Sequence, residues 1–367
     1  MNATLQDGLV SLGRTLIDQD RARVIVRPNA DKDGYWFGGG NLVQDSEGCL
    51  YVTGRYRNAG DSTTGLGKGD RGLELAIFAS RDDGQTFQKT VSFSKEDLSA
   101  SPGEVVSIEG TALNWMENGV ELIISTEKLS HSYPDEIAAF QKPGTGVWSI
   151  DRLSAPTVGE LAQSEVTPLI SSDNPEYLHV KDPVIHTTAD GATVLFFCTH
   201  PFGWSSSNSA FCIRPRGGKE FDAPQFDFFR RGFTWDVAAT RISDVLSLDG
   251  AMAGIHGSGQ LVFYDGAECL RPHTENPAAV SRPRGYSCEE IGGLAFTTND
   301  QYDHLERLSV LRPLFISPHG TGSSRYVHTL ATREGVYATW QQAQPDGSQP
   351  LVMNFVDSDT VRRILSA

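Results

Sequence analysis
The sequence predicts an all-β chain. Short apolar runs, separated by turns rich in Gly, Asp and Asn, fill its 367 residues. No long stretch carries a convincing helical period. One unit, a strand, a tight turn and a returning strand, recurs five times at spacings of roughly 55 to 90 residues. A small antiparallel sheet cannot bury both of its faces alone, so repeats of one meander imply radial stacking. The expected architecture is a five-bladed β-propeller of four-stranded antiparallel blades, one domain spanning 1–367.

Residues 23–26 form a lone candidate strand after a polar lead, and pairing it with the last blade would close the ring. The first unit starts around Trp36 and Phe37, passes Gly38-Gly39-Gly40-Asn41-Leu42-Val43, turns at Glu47-Gly48 and returns through 49–57. A Gly-rich polar loop, 58–72, is placed to lie over one face of the molecule. After the apolar run 73–79 comes Ser80-Arg81-Asp82-Asp83-Gly84-Gln85-Thr86-Phe87. This octet resembles the Asp box of sialidase-like propeller blades, and its work there is turn closure by Ser and Asp bonds to nearby amides. The second unit opens at Val105, carries Ile108-Glu109-Gly110-Thr111, turns at Glu117-Asn118-Gly119 and has an outer strand near 147–150.

The third unit opens with His179-Val180-Lys181-Asp182-Pro183, turns at Asp190-Gly191 and returns through 192–198. Pro183 lacks a ladder donor, so Asp182 is expected where a strand begins. The fourth opens with Trp235-Asp236 and continues through 260–266 to 291–296. The fifth opens with Ser324-Arg325-Tyr326-Val327-His328, turns at Glu334-Gly335, and ends with a strand near 351–355.

Composition narrows the function. The net charge of −15 argues against nucleic acid and anionic membranes as partners. The five cysteines (Cys49, Cys198, Cys212, Cys269, Cys288) are scattered without a CxxC, which speaks against a disulfide framework or a zinc cluster. The first residues lack the charged-then-apolar order of a secretory signal, and no apolar run approaches the length of a membrane span, so a cytoplasmic location is the expectation.

With this plan the chain resembles the five-bladed propeller glycoside hydrolases: the arabinanase, β-xylosidase, invertase and levansucrase group and its relatives. Lys181-Asp182-Pro183-Val184 is similar to their Arg-Asp-Pro motif, whose Asp stabilises the transition state. Ile108-Glu109-Gly110-Thr111 is similar to their Glu-Gly-Pro general-acid motif, with Thr in place of Pro. Tyr264-Asp265-Gly266 and the run from Glu289-Glu290 to Ala295 resemble the fourth-blade region of some members. The resemblance also exposes a departure: where members carry a catalytic Asp at the start of the first blade, this chain has Gly39-Gly40-Asn41.

The inner strands of a propeller run in one direction, so their starts converge at one mouth of the channel. Here that brings together Asn41, Glu109, Asp182, Asp236 and the segment from Arg325 to His328. Converging carboxylates repel, which raises at least one pKa and suits an acid/base pair. Glycoside hydrolysis needs one carboxylic acid and a second carboxylate as base or nucleophile. The roles expected are Glu109 as acid, Asp182 as stabiliser and Asp236 as base, with a pair to Arg241 the bland alternative for Asp236. Glu289 or Glu290 is an alternative acid. Arg55, Arg57, Arg71 and Arg325 are candidates for binding substrate, and Trp36, Trp204 and Trp235 for stacking on sugar faces or packing in the core. Strand alternation puts Arg325 and His328 on opposite faces unless a bulge intervenes. His179 and His186 flank Asp182 without a required share in its face. No cofactor is expected, although the resemblance leaves room for a structural calcium ion deep in the channel beside a His. The function expected is hydrolysis of a small oligosaccharide or glycoside. The alternatives are a uronate lyase, with His328 or Tyr326 as base and Arg325 neutralising the uronate, and a non-catalytic sugar-binding propeller. The oligomeric state is left open.

Overall fold
The computed structural model describes residues 3–58, 72–202, 206–248, 259–268 and 290–366. Helix α1 (Ala3–Leu16) comes first and strand β1 (Arg23–Val26) follows it. The helix is a departure from the all-strand expectation. Leu5, Leu9, Leu12 and Leu16 recur at spacings of four, three and four, which is one helical stripe in a short segment.

Five antiparallel sheets then succeed one another. The first contains β2 (Trp36–Gly38), β3 (Leu42–Gln44), β4 (Leu50–Arg57), β5 (Glu74–Ser80) and β6 (Gln88–Ser94). Both β2 and β3 pair with β4, so they are two halves of one inner strand, broken at Gly39-Gly40. A side chain at Gly40 would lie 2.3 Å from the Thr53 carbonyl oxygen, so the break depends on glycine. The second sheet is β7 (Val105–Met116), β8 (Gly119–Lys128), β9 (Val147–Ala155) and β10 (Thr167–Ile170). The third is β11 (His179–Thr187), β12 (Thr193–His200), β13 (Asn208–Arg214) and β14 (Gln225–Phe229). The fourth is β15 (Ala239–Ser247), β16 (Gly259–Ala267), β17 (Ile291–Thr298) and β18 (Glu306–Arg307). The fifth is β19 (Ser324–Ala331), β20 (Gly335–Gln342) and β21 (Leu351–Asp357), with β1 as its outer strand. The first strand therefore closes the ring, as its sequence position suggested. A final helix, α2 (Ser358–Leu365), is capped by Asp357, whose carboxylate accepts from the Thr360 amide at 2.8 Å.

Apolar side chains fill each of the five seams between blades. Ile77 and Leu75 meet Ile108 and Leu122 between the first and second blades, and Ile123 and Ile150 meet Leu195 and Phe197 between the second and third. Phe196 and Phe211 meet Ile242 and Tyr264, and Phe37 and Leu50 meet Val26 and Leu351, in two further seams. The seam between the fourth and fifth blades is the largest. It takes in Phe263, Leu294 and Trp340, and α1 covers it with Leu9, Leu12 and Leu16. Alternation along each strand supplies this pattern, because both faces of every sheet are covered by a neighbouring blade.

Polar contacts lock the same seams near the axis. Asn41 bonds both backbone groups of Leu113, at 2.8 and 2.9 Å. The Gly110 amide donates to Asp182 at 3.0 Å, and the Ile242 amide to Ser209 at 3.1 Å. The Thr329 amide donates to Asp244 at 2.7 Å, and the Leu42 amide to His328 Nδ1 at 3.3 Å. At the periphery, the turn from Ser80 to Phe87 is closed by its own side chains. Asp82 accepts from Ser80 Oγ at 2.7 Å and from the Thr86 amide at 2.9 Å, while Gly84 holds φ +77°.

Candidate functional site
Four inner strands lose register around the channel. The breaks fall between Ile108 and Thr111, between Lys181 and Val184, between Ile242 and Asp244, and between Arg325 and His328. A bulge adds a residue to one strand and re-aims its side chains. Glu109, Asp182 and Tyr326 occupy these bulges. Asp182 (φ +57°) and Tyr326 (φ +53°) are both left-handed, a conformation that costs a non-glycine residue of order 1–3 kcal/mol. Asp182 thus lies inside β11, in a bulge beside Pro183, and not at a strand start. The bulge also resolves the alternation between Arg325 and His328, since both side chains turn toward the axis.

Arg241, on β15, is the hub of the cluster. Its Nη1 donates to Asp182 Oδ2 at 2.8 Å and to the Tyr326 hydroxyl at 3.1 Å, and lies 3.4 Å from Glu290 Oε1. Its Nη2 and Nε donate to Asp265 Oδ2 at 2.7 and 3.2 Å. The Tyr326 amide donates to the same oxygen at 2.9 Å, and the Tyr326 ring covers the guanidinium at 3.8 Å. Asp182 is further held by Lys181 Nζ at 3.7 Å and by the Cys198 thiol at 3.5 Å. Arg55 forms the second arm: its Nε and Nη2 reach Glu109 Oε2 at 2.8 and 2.7 Å, and Nη1 donates to the Gly38 carbonyl at 3.0 Å. Arg325 forms the third. It pairs with Glu290, donates to Gln349 at 3.3 Å and stacks over Trp36 at 4.4 Å. Arg57 covers the same indole at 4.3 Å.

The charges set the protonation states. Burial alone would raise the Glu290 carboxyl, but the Arg325 and Arg241 guanidiniums outweigh it and hold the group below the usual carboxylate range. Asp265 goes the other way. Burial raises its pKa, and the Arg241 and Tyr326 amide bonds only partly offset that. Burial pushes the Tyr326 phenol up to about 12. It lowers His328, despite the opposing field of Asp244. Glu290 is one-fifth exposed and Glu109 about one-eighth, while Asp182 and Asp265 are enclosed. The more open carboxylates therefore face the mouth, above a floor of buried ion pairs. Beside the cluster is a cavity of about 20 Å³ whose lining includes Gly39, Asn41, Asp182, Arg241, Tyr326 and His328. That holds about one water, so a sugar has room only outside it.

The structure gathers Glu109, Asp182, Glu290, Arg55 and Arg325, which come from four blades and one adjoining segment. It places four other candidates elsewhere. Asp236 accepts from Arg307 at 3.1 Å and from the Tyr264 hydroxyl at 3.3 Å. The inner strand begins at Ala239, past the Trp235-Asp236 start expected from the sequence, so Asp236 turns into its own blade. Arg241, read as a partner for Asp236, pairs with Asp182 and Asp265. Trp235 is buried, stacks on Tyr264 at 5.4 Å and donates to the Ser309 carbonyl at 2.6 Å, so it is core. Asn41 uses its amide to join the first two blades, below the mouth. His179 is likewise structural. It accepts from the Trp148 amide at 3.3 Å, lies 3.2 Å from the Tyr133 hydroxyl, and is lowered by burial to about 3. Arg71, Trp204 and Glu289 lie outside the described residues.

His328 has both ring nitrogens engaged, by the Leu42 amide and by Asp244 at 3.3 Å. Among the described residues no three His, Cys, Asp or Glu side chains converge as metal ligands. No helix among them is long and apolar enough to cross a membrane.

Sequence reasoning missed the central place of Arg241, Asp265 and Tyr326. The one signal for Arg241 was a cation set in an otherwise uncharged run, Val237-Ala238-Ala239-Thr240-Arg241-Ile242-Ser243.

No family model and no curated protein matches the chain. Solved structures do. A thermostable family-43 glycoside hydrolase is similar with a TM-score of 0.56 at 11% identity, over 90% of this chain and 92% of that one. An α-L-arabinofuranosidase from Lactobacillus brevis gives 0.57 at 9%, over 93% and 95%. An endo-arabinase from Bacteroides thetaiotaomicron gives 0.54 at 9%, over 91% and 97%. The five-bladed propeller is thus one that glycoside hydrolases also adopt.

Proposed function
We propose that this protein is a glycoside hydrolase acting on a short oligosaccharide or glycoside at the mouth of the propeller channel. The observation that supports it best is the convergence of Glu109, Asp182 and Glu290, from separate parts of the chain, around one Arg–Tyr cluster. Glu290, beside two guanidiniums, is the carboxylate kept ionised and acts as base or nucleophile. It takes the role expected of Asp236 in the sequence analysis. Glu109 is the acid. Arg55 holds its Oε2, and a sugar closing over the mouth desolvates the carboxyl, which favours the neutral, proton-donating form. Asp182, enclosed in the floor and fixed by the Gly110 amide, anchors Arg241, whose guanidinium faces Glu290. The folds that resemble this one include an endo-arabinase and an α-L-arabinofuranosidase, so pentosides are the first substrates to try.

The test is turnover of aryl pentosides and hexosides by wild type, Glu109→Gln, Glu290→Gln and Asp182→Asn. Removing the acid should spare substrates with activated leaving groups, because these need little protonation. Removing Glu290 should abolish both kinds. Equal losses on both leaving groups for Glu109→Gln would refute its role as acid. A second reading, a sugar-binding propeller without turnover, is favoured by the amide of Asn41 where the enzymes this chain resembles carry an acid. It predicts saturable sugar binding by a wild type that releases no aglycone.

A further inference from the structure
The hydroxyl of Tyr326 poses a donor–acceptor question. A phenol oxygen has one proton and two lone pairs. Arg55 Nη2 lies 3.4 Å from it and Arg241 Nη1 3.1 Å, and guanidiniums only donate. Both lone pairs are therefore engaged, and the proton must point elsewhere. No side chain or carbonyl among the described residues accepts it. The ring is not free to turn away. Its residue sits in a bulge at φ +53°, its amide is held by Asp265 at 2.9 Å, and its face lies against Arg241. Beside the ring, Gly39 keeps ground open. A side chain there would lie 3.6 Å from the ring edge and 2.9 Å from Arg55 Nη1.

We infer that Tyr326 is a ligand-binding residue whose O–H donates to an uncharged oxygen of the bound sugar: a ring, glycosidic or hydroxyl oxygen. This rests on the glycosidase reading and deepens it. The phenol stays protonated, since burial pushes it up to about 12, so it serves as a donor and not as the base a uronate lyase needs. The ligand is neutral for a separate reason. Arg55, Arg241 and Arg325 are already paired with Glu109, with Asp182 and Asp265, and with Glu290. A uronate carboxylate would have to displace one of these while lying against the others, and like charges in a site shielded from water repel strongly.

The experiment uses the full chain labelled with ¹³Cζ-tyrosine, with Tyr326→Phe to assign the resonance. In equal parts H₂O and D₂O, a hydroxyl open to the mouth exchanges fast and gives one averaged line. A resolved pair of lines, from slow exchange, means that the proton is already bonded inside the protein, and the inference falls. The second arm compares wild type and Tyr326→Phe on whichever 4-nitrophenyl glycoside turns over. A loss of at least about tenfold in kcat/KM, with the unfolding midpoint unchanged, is expected for one missing hydrogen bond in the transition state. Rates within twofold of wild type would overturn it. A further comparison separates neutral from anionic ligands: a 4-nitrophenyl uronide cleaved faster than its neutral counterpart refutes the assignment of charge. Should wild type cleave none of the glycosides, the glycosidase reading fails, while the exchange measurement still decides where the proton points.

Discussion

Replacing Arg241 with Met removes the cation from the hub and keeps a side chain of similar reach. Three carboxylates touch that guanidinium: Asp182 at 2.8 Å, Asp265 at 2.7 Å and Glu290 at 3.4 Å. Two of them keep a second cation, because Lys181 lies 3.7 Å from Asp182 and Arg325 pairs with Glu290. Among the described residues Asp265 keeps only the Tyr326 amide. The penalty therefore falls mainly on one fully enclosed carboxylate, and removing one partner of a buried pair costs about 3–5 kcal/mol. The pH dependence has a definite sign. The folded-state pKa of Asp265 is raised above its unfolded value, so the folded protein holds that proton to higher pH. Its contribution to stability then falls as pH rises from the unfolded value, about 3.9, through the folded one. Arg241→Met lifts the folded pKa further and widens this window. Urea unfolding followed by tryptophan fluorescence at pH 5 and pH 8 should show the larger loss at pH 8. Adding Asp265→Asn to the variant should restore much of it. A loss below about 1 kcal/mol, equal at both pH values and indifferent to Asp265→Asn, would refute the account of Arg241 as the counter-ion of a buried carboxylate.

Three further outcomes are expected. Asn41→Asp restores the acid that the first blade lacks in the resemblance, but a carboxylate cannot donate to the Leu113 carbonyl as the amide does at 2.8 Å. It should cost about 1–3 kcal/mol in denaturant unfolding and bring no gain in glycoside turnover. Arg325→Leu removes the strongest opposing field on Glu290, so its pKa rises. A carboxylate that must be ionised then loses activity at higher pH, and the acid limb of kcat/KM should move up by about one pH unit or more. Leu12→Ala opens a hole where α1 covers the seam between the fourth and fifth blades, at a side chain with no exposure. A loss of about 2–5 kcal/mol is expected, and a thermal midpoint within a degree of wild type would show that α1 is a dispensable cover.

The repeat of strand, tight turn and strand was legible in the sequence because it depends on neighbours along the chain. Short apolar runs, Gly-containing turns and the position of Arg23–Val26 indicated five blades and the closing strand. Glu109 and Asp182 were singled out by short motifs, Glu109-Gly110 and Asp182-Pro183, through resemblance, and the structure puts each where its strand ladder is disturbed. The stripe of α1 was also present, but 14 residues in an otherwise strand-like chain carry a weak period. What the sequence could not supply was the level at which each inner strand breaks. A bulge moves a side chain from a seam to the axis, and no local pattern separated the true start of the fourth inner strand from Trp235-Asp236. That small offset sent Asp236 to Arg307 and put Arg241 at the centre. The partners of Arg241 come from positions 182, 265, 290 and 326, far apart in the chain. Sequence thus determined which side chains were available in each blade, because local backbone preference and burial are local properties. Only the tertiary structure decided which charges meet, because radial stacking joins residues that share no sequence neighbourhood, and the energies of buried ion pairs depend on that meeting.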